Sequence, residues 1–158
     1  MSGMKTKTIG LSFILCLAAG ASCLAADDPM MGTWKLNEAK SKITPGGPKN
    51  TTVVYAAAGD QIKITVDGTD ADGKTSHSEW TGKFDGKDYP VTGGAAGETR
   101  SYKKLSLTTL SLADKRDGKV YISGKITVSA DGKSRTVSIS TTDSKGKKVS
   151  NTYVYDKE

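Results

Sequence analysis

Lys119-Val120-Tyr121-Ile122-Ser123-Gly124-Lys125-Ile126-Thr127-Val128, then Ser129-Ala130-Asp131-Gly132-Lys133-Ser134, then Arg135-Thr136-Val137-Ser138-Ile139-Ser140-Thr141: this stretch decides the fold class. Both outer runs are β-branched and alternate apolar with polar residues, the period of a strand with one face buried. The link between them carries Asp-Gly, a strong short-range hairpin signal. Two strands and a tight turn make an antiparallel hairpin. The same grammar repeats outward along the chain. Thr51-Thr52-Val53-Val54-Tyr55 and Gln61-Ile62-Lys63-Ile64-Thr65-Val66 are further strand runs separated by Ala58-Gly59-Asp60. Asp-Gly-Lys recurs at 72–74, 85–87, 117–119 and 131–133, and Lys145-Gly146-Lys147 adds another turn. The segments between these triplets share no side-chain pattern, so they are one turn solution reused and not a sequence repeat.

Counting runs between turns predicts about ten strands, near Met31–Leu36, Thr51–Ala57, Gln61–Asp67, Ser76–Phe84, Tyr89–Val91, Glu98–Lys103, Leu107–Arg116, Lys119–Val128, Ser134–Asp143 and Lys147–Asp156. Only Asn37 to Asn50 is a long connection, with Pro-Gly punctuation and room for a single helical turn at Glu38–Lys42. No stretch after residue 25 has a helical period. Ten short strands joined by hairpins expose two edges unless the sheet closes, so the expected fold is all-β, a single up-and-down antiparallel barrel.

The chain has 158 residues, room for one domain beyond its first 25. Met1 to Ala25 has the order of a secretory signal: Lys5 and Lys7, an uncharged apolar run from Ile9 to Gly20, then small residues up to Ala25-Ala26-Asp27-Asp28. The apolar run is shorter than the roughly 20 residues a spanning helix needs. Cleavage is expected after Ala25 or Ala26, giving residues 1–25 as signal and 26–158 as the barrel domain, periplasmic or secreted. Cys16 and Cys23, the two cysteines, leave with the signal, so the barrel does without disulfides. A lipid on Cys23 would require cleavage just before it, and Gly20 stands where such sites carry Leu; a lipid anchor is not expected.

Leu, Ile, Val and Phe supply only 21 residues of 26–158, too few for a thick apolar core. The six tyrosines with Trp34 and Trp80 instead offer apolar area with polar tips, suited to an amphipathic cavity. Tyr55, Trp80, Tyr121, Tyr153 and Tyr155 are the candidate ligand-binding residues. The net charge of +6 falls to +4 without the signal lysines. The lysines stand singly in turns and among acids, so no nucleic-acid partner is expected.

Catalytic and metal chemistry find little material. His77 is the only histidine, and without cysteine it cannot build a zinc site. No Gly-x-Ser-x-Gly, phosphate loop or His-Glu-x-x-His is present, and the chain is read as a non-enzyme without a cofactor. Gly68 to Glu79 matches a calcium loop at its third, fifth, sixth and twelfth positions but has Gly68 where the first Asp belongs. It reads as an acidic hairpin; Asp67, Asp70, Asp72 and Glu79 are the oxygens a calcium site would use.

Met31-Gly32-Thr33-Trp34-Lys35-Leu36 carries Gly-x-Trp, and here the chain resembles the calycin superfamily, the lipocalins and fatty-acid-binding proteins, whose barrels open with that motif. One long connection after the first strand, hairpins thereafter and a closing Asn151-Thr152-Tyr153-Val154-Tyr155-Asp156 extend the likeness. Its character is nearest to bacterial secreted lipocalin-like proteins. The resemblance implies that Gly32 and Trp34 plug the closed end and that a small amphipathic molecule occupies the barrel of a monomer. Fatty-acid-binding proteins carry Arg-x-Tyr on the last strand to hold a carboxylate; here Tyr153 takes the Arg position and Tyr155 the Tyr position, which weakens the case for a free fatty acid. Lys125 lies where that family often has a second Arg, but its parity opposes that of Val120, Ile122, Ile126 and Val128. Unless Gly124 marks a bulge, Lys125 points to water. The alternative reading is a filled barrel that engages a protein partner through its surface, as inhibitors of this type do; an exposed apolar patch would favour it.

Overall fold

A computed structural model of the chain describes residues 28–142 and 146–158. The expected signal segment, with Cys16 and Cys23, lies outside the described residues. The strands are β1 (Gly32–Leu36), β2 (Lys49–Ala58), β3 (Gln61–Thr69), β4 (Thr75–Gly82), β5 (Tyr89–Thr92), β6 (Glu98–Ser106), β7 (Thr109–Arg116), β8 (Lys119–Val128), β9 (Ser134–Thr142) and β10 (Lys148–Lys157). Each pairs antiparallel with the next, and β1 pairs with β10 as well, closing an up-and-down barrel of ten strands. Closure leaves no unpaired edge.

The meander fixes two ends. The β1–β2 connection and the hairpins β3–β4, β5–β6, β7–β8 and β9–β10 lie at one end, called here the mouth. The remaining hairpins and the start of β1 lie at the other, the base. At the base Trp34 is fully buried, and its indole N–H donates to the Met30 carbonyl at 3.0 Å. Gly32 has φ +107°, a conformation side-chain-bearing residues avoid, so this turn into the first strand requires glycine. The core around Trp34 includes Met30, Val53, Tyr55, Ile64, Trp80, Tyr102, Leu110, Ile126 and Tyr155.

The long β1–β2 connection contains one 3-10 turn, Glu38–Lys40, capped by the Asn37 carboxamide. It then runs alongside β10 as a strap. Ser41 Oγ accepts from the Val154 amide at 2.8 Å, Lys42 bridges to Thr152, and the buried Asn151 Oδ1 accepts from both the amide and hydroxyl of Thr44 at 2.8 Å.

Two expectations of the sequence do not hold. Alternation places Val120 on the apolar face, yet it is 55% exposed. Opposite β7 the register passes from Ile122 directly to Val120, so Tyr121 is an extra residue and reverses parity at the start of β8. The bulge is at Tyr121 and not at Gly124; Lys125, beyond it, is exposed. The Asp-Gly-Lys turns are also not one solution. Asp117 and Gly118 both have positive φ, whereas at 72–74 and 131–133 only the glycine does, and the hairpin is one residue longer at the first and two longer at the second.

Candidate functional site

Inward-facing residues alternate along every strand, and near the mouth many of them are small or polar. They leave a cavity of about 480 Å³ that reaches from Tyr55, Arg135 and Tyr155 near the base to Ser76, Gly93 and Arg116 at the mouth. Its walls mix Val53, Leu112, Ile126, Val137 and Ile139 with tyrosines, arginines and acids. A volume of a few hundred Å³ with a mixed lining is the usual form of a small-molecule pocket.

Tyr55, Tyr121, Tyr153 and Tyr155 line this cavity. Trp80 does not. It sits in an aromatic cluster beside the cavity, edge-on to Tyr102 at 4.8 Å between centroids and to Tyr89 at 5.6 Å and stacked on Phe84 at 6.3 Å. Its indole N–H donates to the Arg100 carbonyl at 2.9 Å. The Tyr153 hydroxyl donates to the Pro48 carbonyl at 3.4 Å and so holds the strap. Burial raises the pKa of Tyr153 and Tyr155; at Tyr121, burial followed by Asp114 and Glu98 raises it to about 12.

The charged groups of the cavity were not singled out from the sequence. Arg100 gives Asp114 a two-pronged pair, Nε to Oδ1 at 2.5 Å and Nη2 to Oδ2 at 2.8 Å, with Glu98 Oε1 at 3.6 Å from Nη2. Asp114 is 3% exposed, so the pair is desolvated. Arg135 is 2% exposed and has no such partner: among the described residues its Nε and Nη1 make no hydrogen bond. Its guanidinium lies among three rings, 4.9 Å from Trp34, 4.9 Å from Tyr55 and 4.7 Å from Tyr155. Cation–π attraction offsets part of the cost of burying that charge. Strand parity held the clue, since Arg135 shares a face with Val137 and Ile139, and Asp114 with Leu110 and Leu112.

No metal site forms among the described residues. Asp67 Oδ1 is 2.6 Å from His77 Nδ1 on the outer wall, Asp70 Oδ1 accepts the amides of Asp72 and Lys74 in its own turn, and Glu79 pairs with Lys63 at 2.7 Å. His77 stands between Asp67 and Glu79, with its Nε2 3.8 Å from Glu79 Oε1, and the carboxylates of the calcium-like segment do not converge on a common point. Nor is any helix among the described residues long and apolar enough to cross a membrane.

No protein-family model matches the chain, and no curated protein does. Solved structures share its fold. A Schistosoma mansoni fatty acid binding protein in complex with arachidonic acid aligns with TM-score 0.58 at 17% identity, covering 82% of this chain and 96% of that one. EF1p2_mFAP2b bound to DFHBI aligns with TM-score 0.50 at 10% identity, covering 82% and 94%. The fatty-acid-binding-protein-like barrel is therefore the fold of this chain.

Proposed function

We propose that the chain is an exported, lipocalin-like, non-enzymatic carrier that takes up a small amphipathic molecule inside its barrel. The observation that carries this reading is the cavity of about 480 Å³, with apolar and hydrogen-bonding residues interleaved on its walls. The small molecules named with the two similar barrels support it as analogy. Export rests on the basic, apolar and small-residue order of residues 1–25. A ring with every strand paired supports a monomer.

The test is native mass spectrometry of the protein from its own exported fraction, with release and identification of what it carries. A co-purifying amphiphile is expected. A bare protein that also refuses added amphiphiles overturns the carrier reading. Weight would then move to partner binding at the surface, where Leu105 and Leu107 are 53% and 66% exposed on the β6–β7 hairpin.

A further inference from the structure

We infer that Arg135 receives the charged end of an organic monoanion whose far end is also polar. This deepens the carrier reading and rests on it. Arg100 and Arg135 both line the cavity; Arg100 has a carboxylate bound at two points, and Arg135, the more deeply buried, has none among the described residues. A buried cation without a counter-ion is costly, and aromatic faces stabilise it without satisfying its N–H groups. Those groups belong to a residue that lines the cavity, near its base. A carboxylate or sulfonate entering from the mouth supplies both the missing charge and the missing acceptors.

The upper wall specifies the rest of the molecule. Between Arg135 and the mouth the ligand passes Glu98, the Arg100–Asp114 pair, Tyr121, Ser76 and Ser78. An alkyl tail would desolvate these groups and return no hydrogen bonds. A compact molecule with a hydroxyl or amide at its far end meets them with polar atoms. The anion site is on β9, one strand away from the Tyr153 and Tyr155 positions that the resemblance pointed to.

Titration calorimetry with four probes tests this: naphthoate, its neutral isostere naphthamide, hydroxynaphthoate and palmitate. Naphthoate is expected to bind about ten-fold or more tighter than naphthamide, the worth of one charge-assisted hydrogen bond. The preference should disappear in Arg135→Met and return in part in Arg135→Lys, with circular dichroism showing each variant folded. Hydroxynaphthoate should bind more tightly than naphthoate and palmitate.

Equal binding of naphthoate and naphthamide to the unaltered protein, a measurement that needs no variant, overturns the Arg135 assignment and leaves the carrier reading standing. So does a preference that survives in Arg135→Met. Palmitate binding as tightly as hydroxynaphthoate overturns the polar far end. If no probe binds, the inference falls, and the native mass spectrometry of the exported fraction decides the carrier reading separately.

Discussion

Arg135 and Asp114 are both buried charges, and the same physics gives them opposite roles. Asp114→Ala leaves Arg100 desolvated with its main partner gone, so a loss of about 3–5 kcal/mol is expected in a denaturant titration. Arg135→Met removes a charge that has no ion-pair partner, and the melting temperature of the ligand-free protein should hold or rise; a large fall would make Arg135 a scaffold residue instead. Trp34→Ala should cost about 3–5 kcal/mol, since it opens a cavity under the barrel and takes a ring from Arg135; a loss below about 1 kcal/mol would remove Trp34 from its role as plug. Such residues are half legible in sequence. Alternation says on which side of the wall a side chain stands, so Arg135 could be placed inside from Val137 and Ile139. It does not say how deep, because depth depends on the stagger between strands. Nor could one strand's pattern reveal that Asp114 faces Arg100 while nothing comparable faces Arg135. Trp80 shows the converse: its parity is right, but neighbouring rings cover it and keep it from the cavity.

Among the elements, the strap from Asn37 to Pro48 depends most on residues far from it in sequence. Its prolines and glycines predicted a long loop, and it is one, but what fastens it comes from β10. Asn151 alone satisfies an amide and a hydroxyl of Thr44. Asn151→Ala should therefore cost about 1–3 kcal/mol and open residues 41–48 to limited proteolysis. An unchanged cleavage pattern would show that the backbone bridge between Lys42 and Thr152 suffices. The strands themselves were legible to within a few residues, because turn chemistry and two-residue periodicity agree along nearly the whole chain. The start of β8 was not, since a one-residue bulge leaves no mark in composition. Tyr121 enters the cavity lining and Val120 turns to solvent only because of how β7 pairs with β8.

For the molecule as a whole, closure and tyrosine content set both pH behaviour and assembly. Tyr89, Tyr102, Tyr121, Tyr153 and Tyr155 all have raised pKa values, with burial the leading cause at each. In the unfolded chain their phenols ionise near pH 10. Above that value the unfolded state holds fewer protons than the native state, so stability falls as pH rises, for Tyr121 until about 12. Below pH 10 these groups contribute no pH dependence. Phenolate absorbance should accordingly rise together with loss of β-sheet signal in an alkaline titration; ionisation of all the tyrosines near pH 10 with the barrel intact would contradict the burial described here. The overall architecture was the most legible feature, because ten hairpin-linked strands have few ways to avoid bare edges. The ring is sealed by Trp34, Lys35 and Leu36 against Lys157, Asp156 and Tyr155. Residues more than a hundred positions apart must therefore meet before the last seam forms, a contact with a high loop-closure entropy. The hairpins can zip locally as they emerge from the ribosome, but the ring cannot seal until β10 is free to meet β1. A barrel built this way stays open until β10 has been made.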